Sequence, residues 1–295
     1  MRVFLTGASG FVGSHLARVF AARGADVDAP SHAELDLTDR AATLRAVDAA
    51  APDALVHAAI LNDAAAMAAD KARAWNAYVG ATRNVVDAAA GTHVVLVSTD
   101  WVFDGAQGPA AESAPPNPVN QYGFLKAASE LVVTERAERG SVARIAAVQG
   151  AAEGAPREQD AGFGYFVAAL VERLRAGERF GVWESDRINK VATPTLASAA
   201  AELMWRVLER DLDGIFHCCG GESVDRRTLA MRAAQVFELD PTLLDLHVRP
   251  PDDAIPAPVP YDTSLDATRT AALLDAELPD VTEMLKRMST ELTPA

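Results

Sequence analysis

The sequence predicts an α/β fold: a doubly wound parallel sheet with a smaller C-terminal α/β lobe. Three observations predict it. Short apolar runs alternate with helical patterns through the first half of the chain. The runs are apolar throughout, as strands covered on both faces are. A glycine-rich turn joins the first strand to the first helix.

Taken in order, Val3-Phe4-Leu5 is a strand. Val12, Leu16, Val19 and Phe20 share one helix face, and Gly24 stops that helix. A short strand is expected near Ala25–Asp28, a helix through Leu44 and Val47, and a strand at Ala54–Ala58. The Ala-rich stretch Ala64–Ala90 reads as one helix ending at Gly91. Val94–Val97 is a fourth strand, Leu125–Glu138 a helix stopped by Gly140, and Val142–Val148 a strand. Beyond a polar loop at Gly150–Gly162, helices are expected at Tyr165–Ala176, Pro194–Arg210 and Asp225–Glu238. A strand is expected at Ile215–Cys218. The prolines between Pro250 and Pro260 exclude a helix interior.

Composition narrows the partners. The 295 residues carry 27 Lys+Arg against 41 Asp+Glu, a net charge of −14, and 49% are hydrophobic. A chain of this size buries roughly three quarters of its unfolded surface and needs no disulfide or metal staple. The acidic balance disfavours nucleic acid and anionic membrane surfaces, which repel a negative protein. It leaves room for a small anionic ligand in a local positive pocket. Cys218 and Cys219 are adjacent and form no framework, and no Cys/His cluster has zinc spacing, so no metal is expected. Met1-Arg2-Val3-Phe4-Leu5 is no signal peptide, and no apolar stretch approaches the ~20 residues of a membrane span. The expectation is a cytoplasmic protein.

Gly7-Ala8-Ser9-Gly10-Phe11-Val12-Gly13 follows the first strand directly and opens the first helix. Gly7 permits a tight turn, Gly10 leaves a pyrophosphate room to approach, and Gly13 lets helix and strand pack closely. The helix N-terminus offers N–H groups and partial positive charge to phosphates. The spacing GxxGxxG resembles the loop of extended short-chain dehydrogenase/reductases. That resemblance implies a nicotinamide cofactor held by Gly7, Ser9, Gly10, Phe11, Val12 and Gly13. It implies an adenine contact from the Asp36-Leu37 pair; Asp36 can also belong to a helix N-cap region, and both roles can hold at once. It also implies that His57-Ala58-Ala59 is the strand end passing the ribose. Asp28, at the end of the second strand, can serve NAD, whereas Ser31 and His32 can receive the 2′-phosphate of NADP. Their distance before Asp36 favours NADP, though His32 can equally be a plain loop residue.

Tyr122-Gly123-Phe124-Leu125-Lys126 sets a phenol and an ammonium four residues apart on one helix face. A neighbouring cation favours the phenolate, which brings the Tyr122 pKa toward working range for general acid–base chemistry. Thr99 follows the fourth strand, and strand C-termini are where ligands bind in such sheets. It can donate to a substrate oxygen beside Tyr122.

The segment Ser98-Thr99-Asp100-Trp101-Val102-Phe103-Asp104-Gly105 resembles the STDYVFDG signature of dTDP-4-dehydrorhamnose reductases. Pro116 to Lys126 is similar to their proline-bearing approach to the catalytic Tyr; Asn76 and Arg144 also match. The resemblance is good over residues 1–150 and thin beyond. It implies hydride reduction of a 4-keto nucleotide sugar, with Thr99, Tyr122 and Lys126 catalytic and Thr99, Asp100 and Trp101 near substrate. Arg187 and Lys190 can meet a substrate diphosphate, or be surface cations. A homodimer is a family expectation. The chain departs from the reductases in lacking a Trp after Arg144 and in a longer Asp186–Thr195 stretch, so the keto sugar can differ. Relatives of this group include epimerases, dehydratases and the regulatory subunit of methionine adenosyltransferase. Asp100-Trp101 lacks the second acid of the dehydratases. The alternatives left are an epimerase and an NADP-binding regulatory subunit. On this reading residues 1–150 are an NAD(P)-binding Rossmann domain and 151–295 mainly a substrate lobe, with about 191–220 returning to pack on the first.

Overall fold

The structure is a computed structural model and describes residues 1–61, 63–150, 159–255 and 257–292. The first strand, β1 (Arg2–Thr6), runs into α1 (Phe11–Ala22), and β2 (Asp26–Asp28), α2 (Arg40–Ala50) and β3 (Ala54–His57) follow. Two short helices, α3 (Ala64–Ala69) and α4 (Lys71–Trp75), lead through a π-helical turn (Asn76–Gly80) into α5 (Ala81–Ala88). Next come β4 (His93–Thr99), α6 (Gln121–Arg136), β5 (Gly140–Ile145) and β6 (Val148–Gln149). They are followed by α7 (Phe166–Arg175), β7 (Phe180–Trp183), β8 (Val191–Ala192), β9 (Thr195–Leu196), α8 (Ala197–Glu209) and β10 (Gly214–His217). The chain continues through β11 (Val224–Asp225), α9 (Arg226–Val236), β12 (Leu244–Val248), β13 (Asp262–Thr263), α10 (Thr268–Leu274) and α11 (Val281–Glu291).

Six strands form one parallel sheet in the order β10-β5-β4-β3-β1-β2. Every residue of β3 and β4 is buried, as their unbroken apolar runs require. Phe4, Leu55, Val94, Leu96 and Val142 of the strands pack with Val47 of α2, Val85 of α5 and Val133 of α6. Burying each such side chain contributes about 2 kcal/mol. Phe20 of α1 meets Trp205 of α8 with ring centroids 5.4 Å apart. The winding reverses beside β1, whose neighbours are β2 and β3, and in such sheets ligands bind outside the strand ends at that reversal.

Two compact units interleave along the chain. Met1–Val102, Gln121–Arg144 and Ala200–Phe216 form the first; among described residues, Phe103–Asn120, Ile145–Ala199 and the chain from His217 form the second. The second unit has its own core, in which Phe166 and Leu170 of α7, Leu229 of α9 and Met284, Leu285 and Met288 of α11 converge. It also carries the parallel pair β7–β12 and the three-stranded β11-β8-β13 sheet. No helix among the described residues is long and apolar enough to cross a membrane.

Several expected elements change shape. The Ala64–Ala90 helix is broken at Asp70, which leaves helical angles (φ −135°) and caps α4 by accepting from the Arg73 N–H at 2.9 Å. The helix expected from Leu125 begins at Gln121, which places Tyr122 in its first turn. The Val142–Val148 strand divides because Ala147 is left-handed (φ 43°). The Pro194 helix starts at Ala197, since Thr195–Leu196 pairs with β6 instead. Most of the loop expected at 150–162 lies outside the described residues.

Candidate active site

Register brings the chemistry to one sheet edge. Thr6 lies opposite His57, and His57 opposite Leu96. The glycine loop, Ala58-Ala59 and the Ser98-Thr99 end of β4 therefore leave the sheet side by side.

The glycine loop is shaped by close contact. Gly7 is left-handed (φ +79°), and a Cβ there would lie 2.6 Å from the Ala59 nitrogen. A Cβ on Gly13 would lie 2.0 Å from the Gly7 carbonyl oxygen. Gly10 is different: its Cβ would meet only that oxygen, at 3.3 Å, so the fold itself does not demand a bare residue there. Gly10 is also the N-cap of α1, which has no side-chain cap and no acidic residue in its first turn. A helix start of this kind, with its dipole unopposed by acidic side chains in the first turn, favours an anion. Ser9 is exposed, and Phe11 and Val12 are half-buried. This cradle fits the pyrophosphate of a dinucleotide.

At the end of β4, the Thr99 hydroxyl donates to Asp100 Oδ1 at 3.0 Å and accepts from the Trp101 N–H at 3.2 Å. Trp101 and Tyr78 each meet the Tyr122 ring edge-on, with centroids 6.0 and 6.2 Å away. Burial pushes the Tyr122 phenol up to about 12; a hydrogen bond with Thr99 draws it back, and the Asp100 carboxylate raises it further. The lowering expected from Lys126 is not among these influences, because the ammonium turns to the strand and donates to the Val97 carbonyl at 2.6 Å. Burial brings Lys126 itself down to about 8, against the opposing pull of Glu130. His57, behind it on β3, is held down at about 3 by burial and by Lys126, and its Nδ1 lies 2.7 Å from the Thr6 hydroxyl. A protonated phenol beside a hydroxyl, at a strand end facing a phosphate cradle, can hand a proton to a carbonyl oxygen.

A family model described as "RmlD substrate binding domain" matches residues 1–293. The chain belongs to this family. It is 32% identical over 285 residues to a dTDP-4-dehydrorhamnose reductase of Streptomyces griseus, covering 92% of this chain and 87% of that one. It is 26% identical over 287 residues to methionine adenosyltransferase 2 subunit beta of Rattus norvegicus, covering 92% and 82%. A crystal structure of dTDP-4-dehydrorhamnose reductase from Bacillus anthracis in complex with NADP superposes with a TM-score of 0.85 at 21% identity, covering 98% and 99%.

Within this RmlD-family chain, other expected site residues are engaged elsewhere. The Asp36 carboxylate accepts from the Thr38 N–H at 2.9 Å and the Thr38 hydroxyl at 2.7 Å, while Asp39, not Asp36, caps α2. Leu37 packs against the sheet core, and its carbonyl accepts from Asn84 Nδ2 at 2.9 Å. The Ser31 N–H and hydroxyl both donate to Glu34 Oε2 at 2.8 Å, which puts a carboxylate where a 2′-phosphate was expected. His32 is exposed next to it. Arg187 belongs to the second unit, where it pairs with Asp252 at 3.6 Å and donates to the Ile255 carbonyl at 3.4 Å. Lys190 pairs with Glu184 at 3.1 Å. Sequence reasoning named His57 only as part of the strand end passing the ribose and passed over Tyr78 and Glu130; for Glu130, its place one helical turn beyond Lys126 was a readable signal. Among the described residues, no group of three or more His, Cys, Asp or Glu could hold a metal ion.

Proposed function

We propose that the chain is an NAD(P)H-dependent reductase of a 4-keto nucleotide sugar or a similar carbonyl. The observation that carries this reading is the convergence of Thr99, Tyr122 and Lys126 beside the uncapped glycine cradle within one compact unit. Family membership and the 32% identity to a reductase support it.

Gly7, Gly10, Gly13 and the α1 amides would hold the cofactor pyrophosphate, with Ser9, Phe11, Val12, Ala58 and Ala59 along its path. Bound reduced nicotinamide supplies a hydride. The chain supplies the rest. The Thr99 hydroxyl donates to the substrate carbonyl oxygen and polarises it. Tyr122, protonated at neutral pH, gives its proton to that oxygen. Lys126, anchored on the Val97 carbonyl, would bind the nicotinamide ribose with its remaining donors. Trp101 offers an aromatic wall and Asp100 a carboxylate for orienting the sugar. Glu34 at Ser31 weighs against the NADP preference, and NAD serves the same chemistry.

The test is a cofactor and carbonyl screen. The protein is titrated with NADPH and NADH, and cofactor oxidation is then followed with dTDP-4-dehydrorhamnose and related keto sugars. Oxidation with one sugar supports the proposal. Tyr122→Phe should then remove most turnover and leave cofactor affinity within a few fold, and retained turnover would sink the Tyr122 assignment. The similarity to an adenosyltransferase subunit favours one second reading, a cofactor-binding subunit without turnover. It expects binding with no oxidation of any keto sugar and a co-purifying partner chain. Interconversion of sugars with tightly retained NAD and no net cofactor loss would point to an epimerase.

A further inference from the structure

Beneath the Thr99–Tyr122–Lys126 group lies a second, closed layer of polar side chains. Tyr122, Lys126 and Glu130 stand at successive four-residue steps on α6 and so share one helix face. Arg144 of β5 grips the Glu130 carboxylate with both arms, Nε to Oε1 at 3.0 Å and a terminal nitrogen to Oε2 at 2.7 Å. The Ser98 hydroxyl donates to Oε1 at 2.5 Å. Arg144 is 0% exposed, Ser98 1% and Glu130 3%. Glu130 thus ties three elements together: its own helix, β5 through Arg144, and through Ser98 the residue just before Thr99.

A buried ion pair of this kind adds little net stability over apolar side chains of the same volume. Its position is the informative feature. The groups facing Lys126 are His57 on β3, Tyr78 on the π-turn, Tyr122 and Glu130 on α6, and Arg144 behind Glu130. The Tyr78 ring centroid lies 6.0 Å from Lys126 Nζ. Of these groups, Glu130 is the one whose negative charge favours the ammonium; His57 is kept neutral by its burial.

We infer that Glu130, clamped by Arg144 and Ser98, is a positioning residue that keeps Lys126 a cation and fixes the Ser98-Thr99 strand end against α6. The inference rests on the proposed reductase reading for its consequence in turnover, but its physical content does not. Burial alone drives Lys126 toward the neutral amine, and without Glu130 nothing on α6 opposes it. Fixing Ser98 also fixes the backbone from which Thr99 reaches Tyr122.

The chain has only four lysines: Lys71, Lys126, Lys190 and Lys286. Selective ¹³C labelling at lysine Cε therefore gives four resonances, with Lys126 assigned by its loss in Lys126→Arg. In the unaltered chain its midpoint is expected near 8. Glu130→Gln should lower that midpoint by about one pH unit or more, a tenfold change in the ratio of ammonium to amine. Glu130→Gln leaves Arg144 buried against a neutral partner and can fail to fold. The paired variant Glu130→Met/Arg144→Met removes both charges at similar volume and should show a smaller downward shift in a folded chain, because the more distant Arg144 cation that opposes the ammonium is lost as well. An unchanged Lys126 midpoint in either folded variant overturns the inference. If turnover is found in the unaltered chain, the alkaline limb of its pH profile should move down with the midpoint. If the midpoint moves but no keto sugar is ever reduced, Glu130 keeps its role and the reductase reading fails alone.

Discussion

At the scale of single residues, the Thr99 hydroxyl has one proton and two claimants, Asp100 and the Tyr122 oxygen. The Asp100 charge also makes the phenolate harder to form. Asp100→Asn should therefore lower the Tyr122 midpoint below about 12. Alkaline ultraviolet titration measures it, with Tyr122→Phe subtracted so that one of the four tyrosines is isolated. An unchanged or higher midpoint would mean that Asp100 is not felt at the phenol. The pattern Tyr-x-x-x-Lys was plain in the sequence, but the direction in which Lys126 points was not. A side chain that reaches from α6 to a carbonyl of β4, Val97, has spent one of its donors on structure.

At the scale of elements, the turn from β1 to α1 is held by contacts that admit no side chain. Gly13→Ala places a methyl against the Gly7 carbonyl, so either the helix or the loop must shift. Overpacking of this kind costs about 1–3 kcal/mol. We expect a lower urea midpoint together with loss of NADH and NADPH binding in fluorescence titration; normal binding would show that the cradle tolerates a shift. This turn was legible because glycine spacing reports backbone demands directly. The π-turn before α5 was not, since Asn76–Gly80 carries the same helical periodicity as its neighbours. The pair β7–β12 was missed because both strands are short and meet across some sixty residues of chain. Helix α11 was readable after all: Val281, Met284, Leu285 and Met288 line one face, and Asp280 caps it by accepting from the Glu283 N–H at 2.7 Å. The glycine turn and the Tyr122–Lys126 spacing could be read from the sequence, whereas the wall where Arg144 meets Glu130 across elements needed the fold.

For the molecule as a whole, acid should unfold the chain partly through His57. Its folded pKa of about 3 lies below the unfolded value of 6.5, so between them the unfolded state binds one more proton. Stability from this group is full above 6.5 and falls by about 1.4 kcal/mol per pH unit as the pH drops toward 3. Urea midpoints across that range should fall less steeply for His57→Gln; equal slopes would assign the acid sensitivity elsewhere. Cys218 and Cys219, just past β10, are 0% and 1% exposed, and burial pushes the Cys218 thiol up. Neither sulfur can meet an alkylating reagent without local opening. The adjacent thiols are thus a clock within the chain. In native buffer they should react with N-ethylmaleimide far more slowly than a peptide thiol, and together once mild urea admits the reagent. Fast labelling of one alone would mean that the segment after β10 opens independently of the core around it.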